Sequence, residues 1–341
     1  MLAAGAVAAP IALTGNSRGS NDSRTTTPGT SAQASIAPAA LGRRASRAAS
    51  HRRLPANVAV GLRIVTFVDR SRSVHFRNGS AGPRTLVTEI RYPAVGPAGA
   101  DDVHDAPPMR GPGPYPLVVF GHGFAVTPAV YARLLDEWAR AGYVVAAPVF
   151  QLGSPLAPGG PNEADLVSWP GDMRFVISRM LAENVRAGSS LEGLTEPNRI
   201  AVAGQSDGGD TALAVTFDAA QRDRRVGAAV ILSGEEIPQF GSFAFPVRGP
   251  PLLAAQGSAD TINLPSATQS FFSAAPRPKF LLTLIGAPHL PPYTTMQPYL
   301  GVIERVTIAF LDTYLKHQPA SLHRMLTAAS VEGVAALQAD G

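Results

Sequence analysis

Residues 204–208 read GQSDG, a serine between two glycines where the apolar run RIAVA gives way to the small-residue run GDTALAV. A serine in this pattern at a strand-to-helix junction is typical of a nucleophile elbow, a strained turn that lifts the hydroxyl clear of the sheet. Gly204 and Gly208 are then needed because side chains there would collide with the neighbouring strand and helix. The pattern predicts that Ser206 is a nucleophile; the alternative is a tight turn with a capping serine.

A serine nucleophile needs a base that takes its proton and an acid that orients the base. Two of the seven histidines lie at the ends of predicted strands, where a base for Ser206 is expected. They are His122 in FGHGF and His289 in GAPHLPP. His289 follows the last predicted strand and gives the chain order serine, acid, histidine, so we predict that it is the base. His122 is predicted to shape its loop, and the alternative is a second base.

The orienting acid should follow a strand between the serine and the histidine. Asp260 in LLAAQGSADTI does so, and its short Gly-Ser-x-Asp loop leaves the carboxylate at the correct end of the sheet. Glu235 and Glu236 follow the preceding strand and are the rival acids, but they would have to reach across one strand spacing of ~4.8 Å. We predict that Asp260 is the acid.

The negative charge that forms on a substrate carbonyl oxygen must be held by hydrogen-bond donors. The sequence predicts the N–H of Asp207, at the start of the helix after the serine, and the N–H of Phe124, in the loop after LVVFGHG. Gly121 and Gly123 are expected to let this loop approach the substrate. The predicted substrate pocket is lined by residues that flank the motifs, each of which is alternatively a core residue: Phe124, Trp169, Leu290 and Tyr293.

Apolar runs of strand length alternate with runs of helical spacing from about residue 58. LVVFGHG, YVVAAPVF, RIAVAGQS, VGAAVILSG, PPLLAAQGS and KFLLTLIGA are typical of strands in a buried parallel sheet. PAVYARLLDEWARAG and LGVIERVTIAFLDTYLKH carry apolar residues at helical spacing. The alternation predicts an α/β fold, a doubly wound, mostly parallel sheet with helices on both faces.

Charge and composition divide the 341-residue chain. Residues 1–53 contain seven of the 29 basic residues and one of the 25 acidic ones, so residues 54–341 carry 22 basic and 24 acidic residues. We predict a disordered tail in 1–53, a catalytic domain in 54–320 and a C-terminal extension in 321–341. A near-neutral domain argues against nucleic-acid binding. The basic tail is interpreted as a solvated linker, with contact to an anionic surface as the alternative.

The apolar run at residues 2–13 is too short to span a bilayer. It lacks a preceding basic residue, so it is either the remnant of an export signal or an Ala-rich flexible end. Secretion or association with the cell envelope is expected, with a cytoplasmic location as the alternative. The absence of cysteine excludes disulfides, a thiol nucleophile and cysteine-ligated metals.

The motifs GQSDGG, GHGF, GSAD and GAPHL resemble those of the α/β-hydrolase superfamily. Within it, YPLVVFGHGF and GDMRFVISRML are similar to the dienelactone-hydrolase-like branch, which also holds cutinase-like polyester hydrolases, chlorophyllases and platelet-activating-factor acetylhydrolases. The resemblance covers about residues 58–318. It implies the α/β-hydrolase fold and these roles: Ser206 as nucleophile, Asp260 as acid, His289 as base, and Phe124 and Asp207 as oxyanion donors.

Two features depart from the family pattern. Dienelactone hydrolase itself uses a cysteine, which this chain lacks, and Asp207 stands where polyester hydrolases usually carry an apolar residue. We therefore expect a serine carboxylic-ester hydrolase that acts on short- to medium-chain esters, small or polymeric. The alternatives are acyl transfer with the same triad and a non-catalytic binding protein on a hydrolase scaffold. No cofactor, metal, nucleic acid or membrane span is expected.

Overall fold

The computed structural model describes residues 58–341, so the predicted tail at 1–53 lies outside the described residues. The strands are β1 (Ala59–His75), β2 (Ala81–Ala94), β3 (Val103–His104), β4 (Tyr115–Gly121), β5 (Val144–Pro148), β6 (Thr195–Gln205), β7 (Val226–Leu232), β8 (Leu252–Gly257), β9 (Lys279–Leu284) and β10 (Ala335–Asp340). The helices are α1 (Ala132–Arg140), α2 (Trp169–Val185), α3 (Asp207–Phe217), α4 (Pro265–Ala274), α5 (Tyr299–Tyr314) and α6 (Ala320–Ala329). Short 3₁₀ turns lie at Pro128–Tyr131, Glu163–Ser168, Pro238–Phe240 and Pro291–Tyr293.

The strands of the described chain form one sheet in the order β10-β9-β8-β7-β6-β4-β5-β2-β1-β3. The central run from β5 through β4, β6, β7 and β8 to β9 is parallel. β10 pairs antiparallel with β9, and β2 pairs antiparallel with β1 and β5. The predicted mostly parallel α/β sheet is therefore confirmed.

Helices cover both faces of the sheet because its central strands are apolar on both sides. All seven residues of β4 are buried, and alternate side chains enter different clusters. Leu117 and Val119 pack with residues of α2, α3 and α4. Val118 and Phe120 pack with residues of α1, α5 and α6. This two-sided burial accounts for the continuous apolar runs in the sequence.

The chain order changes direction at β4. From β4 the chain passes to β5 on one side and then returns to β6 on the other side. In open α/β sheets ligands bind at such a switch point, beyond the carboxyl ends of the strands. The loop that follows β4 and the turn that follows β6 therefore meet where a substrate site is expected.

Two regions complete the sheet toward its edges. β1 continues past Asp69 to His75 through an irregularity in its pairing with β2, at which Asp69 accepts hydrogen bonds from the N–H and hydroxyl of Ser71. The segment predicted as a C-terminal extension, 321–341, supplies most of α6 and the edge strand β10. β10 is short and half exposed, so its apolar pattern is weak in the sequence.

Candidate active site

Ser206 occupies a strained turn between β6 and α3. Its φ is 55° and its ψ is −130°, a conformation that non-glycine residues rarely adopt. A Cβ atom on Gly204 would lie 2.1 Å from the carbonyl oxygen of Gly208, and one on Gly208 would lie 2.1 Å from that of Gly121. Both positions exclude a side chain, because β6, α3 and β4 pack against one another through their backbones.

His289 and Asp260 lie together beside this turn. Nδ1 of His289 is 2.8 Å from Oδ2 of Asp260, and the Asp260 side chain is fully buried. The other carboxylate oxygen accepts hydrogen bonds from the N–H groups of Ile262 (2.9 Å) and Asn263 (3.2 Å). Asp260 is thus held by its own loop, and it directs the N–H of His289 so that Nε2 is the nitrogen left to accept a proton.

The rival acids are placed differently. Glu235 lines the cleft above the serine and Glu236 does not, and both are half-buried. Among the described residues, the acid that is hydrogen-bonded to His289 is Asp260. The loop after β8 therefore supplies the partner of the histidine, and the loop after β7 supplies one acidic side chain, Glu235, to the cleft.

Gln205, which the sequence analysis did not single out, contacts the histidine directly. Its Nε2 lies 3.2 Å from Nε2 of His289 and donates to the carbonyl oxygen of the same residue at 3.2 Å. Its Oε1 accepts a hydrogen bond from the Tyr131 hydroxyl at 2.7 Å, and that hydroxyl accepts one from the N–H of Gly123. Gln205 was detectable as a buried amide at the end of an otherwise apolar strand.

The Ser206 hydroxyl is not hydrogen-bonded to His289 within residues 58–341. The Gln205 amide lies 3.2 Å from Nε2 of the histidine, the nitrogen that would accept such a bond. The three residues predicted for the triad nevertheless lie close together. Ser206 and His289 line one cleft, and Asp260 contacts Nδ1 of the histidine.

His122 shapes the loop after β4. Its Nδ1–H donates to the carbonyl oxygen of Gly123 at 2.7 Å, and its Nε2 accepts from the N–H of Phe150 at 2.9 Å. Burial lowers the pKa of His122 to about 4, so the ring stays neutral near pH 7. Both ring nitrogens are occupied, which favours the predicted loop-shaping role over that of a second base.

The predicted oxyanion donors flank the serine. Phe124 and Asp207 both line the cleft, and within the described chain neither N–H donates to another residue. Gly123 is needed for close approach, since a Cβ there would lie 3.0 Å from Oε1 of Gln205 and 3.3 Å from Cβ of Ser206. Gly121 instead serves the packing of β4 on α3, which corrects its predicted role toward the substrate.

The cleft has a volume of about 660 Å³. Phe124 and Leu290 line it as predicted, and Leu166 and Ile237 also line it. An adjoining apolar recess of about 460 Å³ shares Leu166 and Ile237 with it. The cleft therefore offers apolar side chains near the proposed reacting centre.

Trp169 and Tyr293, predicted to line the pocket, are core residues. The Trp169 ring is fully buried and stacks on Phe150 with ring centroids 4.1 Å apart. The Tyr293 hydroxyl lies 2.8 Å from Oγ of Ser233 and donates to the carbonyl oxygen of Ala255 at 3.1 Å. Both side chains are therefore buried in the core and do not line the cleft.

The cleft is acidic. Burial, and then the charge of Glu163, raise the pKa of Asp207 to about 6, and its Oδ2 has no hydrogen-bond partner. Burial raises the pKa of Asp210 well above its usual range, although Oδ1 of Asp210 accepts a hydrogen bond from the N–H of Glu235 at 2.6 Å. The residues that line the cleft include no lysine or arginine.

Within residues 58–341, no group of three or more histidine, aspartate or glutamate side chains is arranged to hold a metal ion. None of the helices described there has the length and hydropathy needed to cross a membrane.

The sheet order, the elbow after β6, the acid after β8 and the histidine after β9 define the α/β-hydrolase fold. A solved structure of a ferulic acid esterase from Streptomyces cinnamoneus matches with a TM-score of 0.61 and 24% identity, over 79% of this chain and 94% of the other. The predicted α/β-hydrolase fold is thereby confirmed.

Residues 96–233 match the family model for chlorophyllase. Chlorophyllase-1 of Arabidopsis thaliana is 35% identical over 105 residues, which are 31% of this chain and 30% of that protein. The match to this curated relative thus spans less than a third of its length. The range matched by the family model contains the loop after β4 and the turn at Ser206, and it ends before Asp260 and His289.

Proposed function

We propose that this protein is a serine carboxylic-ester hydrolase in which Ser206, His289 and Asp260 form the catalytic triad. The observation that carries the proposal is the 2.8 Å contact between Asp260 and the histidine beside a serine in a strained turn. The similarity to a chlorophyllase and a ferulic acid esterase supports ester hydrolysis. The proposal takes from these two proteins only the type of bond that is cleaved, an ester bond. It does not take the substrates that their names contain.

In the proposed reaction Oγ of Ser206 attacks the ester carbonyl carbon while its proton passes to Nε2 of His289. The N–H groups of Phe124 and Asp207 hold the carbonyl oxygen as it becomes negative, each contributing about 3 kcal/mol. The bond from the carbonyl carbon to the alcohol oxygen then breaks, and His289 returns the proton to the departing alcohol. Water, deprotonated by His289, attacks the acyl carbon, which releases the acid and restores Ser206.

The contact between the Gln205 amide and Nε2 of His289 must break before this reaction can start. A neutral imidazole has one acceptor nitrogen, so Nε2 of His289 cannot accept from the Gln205 amide and from the serine hydroxyl at once. A small rotation of the imidazole or of the serine side chain exchanges the two donors. The amide keeps its second contact, to the backbone oxygen of His289, and so continues to hold the histidine loop.

Covalent labelling tests the nucleophile. We expect a fluorophosphonate probe to label the wild-type protein and to leave Ser206→Ala unlabelled and without esterase activity. Ser266→Ala, which removes an exposed serine outside the cleft, is the matched control and should keep both properties. Labelling that survives in Ser206→Ala would overturn the assignment, and a wild-type protein without labelling or activity would favour the non-catalytic alternative.

We also propose that the protein is secreted or bound to the cell envelope. The apolar run at residues 2–13 and the Ser-, Ala- and Arg-rich residues 14–50 support this proposal. Fractionation of expressing cells tests it. Esterase activity confined to the cytosol would overturn it.

A further inference from the structure

The carboxylate side chains that line the cleft give it a negative charge. Acidic side chains line it on three elements, Glu163 in a 3₁₀ turn, Asp207 and Asp210 in α3, and Glu235 after β7. No lysine or arginine lines it to balance them. A cleft with one sign of charge and low-dielectric walls concentrates the field and attracts ligands of the opposite sign.

Asp207 is the acidic residue closest in sequence to the proposed chemistry. It is 8% exposed, and its Oδ2 is buried without a hydrogen-bond partner. With a pKa of about 6, set first by burial and then by Glu163, its carboxyl is ionised at pH 8. An ionised carboxylate at a buried site is unfavourable until a cation or a hydrogen-bond donor meets it.

The Asp207 carboxylate also opposes the proposed reaction of a neutral ester. The N–H of Asp207 is one of the two proposed oxyanion donors, and the carboxylate on the same residue interacts with that N–H. A negative side chain so close to a developing negative oxygen raises the energy of the transition state. A cation beside Asp207 would cancel this charge and free the N–H for the oxyanion.

We propose that the cleft selects esters that carry a cationic ammonium group, with the Asp207 carboxylate as its partner. The inference rests on the proposed esterase function and names its substrate class. Since the N–H of Asp207 would hold the carbonyl oxygen, the ammonium lies a short spacer from the ester, on the acyl or the alcohol side.

Two pairs of esters with the same shape and different charge test the proposal. On the acyl side, β-alanine ethyl ester carries an ammonium group where ethyl butanoate carries a methyl group. On the alcohol side, butyrylcholine carries a quaternary ammonium group where 3,3-dimethylbutyl butanoate carries a neutral quaternary carbon. Acid release at pH 8 in a pH-stat gives kcat/KM for each ester. We expect a preference of about 10-fold or more for the cation in at least one pair, which also assigns the side.

Variants identify the residue responsible. Within one pair, the ratio of cationic to neutral kcat/KM should fall toward one in Asp207→Asn and more modestly in Glu163→Gln. Glu236→Gln, which removes an acid outside the cleft, should keep the wild-type ratio. Raising the ionic strength from 0.02 to 0.5 M should reduce the wild-type ratio, because salt screens the attraction. A ratio near one in both pairs, or a ratio that Asp207→Asn leaves unchanged, would overturn the proposal.

A binding measurement separates this proposal from the proposed function. In Ser206→Ala, titration calorimetry should show tighter binding of β-alanine ethyl ester than of ethyl butanoate, or of butyrylcholine than of its neutral counterpart, without turnover. If p-nitrophenyl acetate is hydrolysed and no cation preference appears in binding or rate, the selectivity proposal fails and the esterase proposal stands. If nothing is hydrolysed and the cation still binds more tightly, the esterase proposal fails and the cation site stands.

Discussion

The side-chain amide of Gln205 lies 3.2 Å from Nε2 of His289, the nitrogen proposed to take the proton of the next residue in the chain. The Tyr131 hydroxyl fixes the orientation of the amide by donating to its oxygen at 2.7 Å. One buried side chain therefore joins the base to Tyr131 and, through it, to the N–H of Gly123 in the oxyanion loop. Gln205 thus contacts the proposed base directly and the loop of the proposed oxyanion donor Phe124 through Tyr131.

Replacing this amide by an acid should change the pH dependence. In Gln205→Glu the new carboxylate stabilises the imidazolium form of His289, so the acid limb of the kcat/KM profile should move up by about one pH unit or more. Gln205→Met removes the amide without adding charge. It should lower kcat/KM by roughly 10- to 100-fold through looser positioning, with the acid limb in its wild-type place. A wild-type profile in Gln205→Glu would show that the side chain does not face the base during turnover.

The acid of the triad can be identified by three substitutions. Asp260→Asn should lower kcat on p-nitrophenyl acetate by roughly 10⁴-fold, because the amide favours the wrong tautomer of His289. Glu235→Gln and Glu236→Gln should each change kcat little, since neither is hydrogen-bonded to the histidine. If Glu235→Gln is the variant that loses activity, the acid follows β7 and the proposed triad is wrong.

A feature of this site could be predicted from the sequence when the contacts that determine it join residues close together in the chain. The turn at Ser206 was predictable, because the glycines on either side of it are required by backbone packing within a few residues. Trp169 and Tyr293 were misplaced, because proximity in sequence to a motif does not fix the direction in which a side chain points. Gln205 was missed because its partner lies 84 residues further along the chain, and only the assembled sheet brings the two together.

Stability should respond to pH through Asp207. Its pKa is about 6 in the folded protein, mainly through burial, and 3.8 is its ordinary value. Between these values the folded state holds a proton that the unfolded chain has released, so stability falls as the pH rises through this window and stays low above it. Two pKa units correspond to about 3 kcal/mol. Asp207→Asn should therefore stabilise the protein by up to about 3 kcal/mol at pH 8 and by much less at pH 4, measured by urea unfolding.

Asp223 provides a control of opposite sign. Burial acts to raise the pKa of Asp223, but hydrogen bonds from Arg225 outweigh it and hold the pKa below its usual range. Its contribution to stability is present above the ordinary pKa and is lost as the pH falls. Asp223→Asn should thus destabilise the protein at pH 8 more than at pH 2. The same pH trend in both variants would contradict the assignment of a raised pKa to Asp207.

Substrate size and interfacial behaviour follow from the rim at residues 151–172. The carboxylate of Asp165, in the 3₁₀ turn of this rim, accepts two hydrogen bonds from Arg84 of β2, at 2.7 and 2.6 Å. Arg84 is 2% exposed and also binds Asp172 at the start of α2. Opening the rim would break a buried ion pair, a change that costs roughly 3–5 kcal/mol. The rim is therefore a fixed wall and is not expected to act as a lid.

We predict that kcat/KM for p-nitrophenyl esters peaks at acyl lengths of roughly C2–C8. Each added methylene contributes up to ~0.8 kcal/mol until the apolar wall formed by Leu166 and Ile237 is filled. The rate should not jump when the substrate passes its solubility limit, since the rim does not open at an oil surface. Rates from acetate to palmitate, below and above that limit, check both parts. A preference for palmitate with interfacial activation would mean that the contact between Arg84 and Asp165 opens during turnover and that residues 151–172 form a lid.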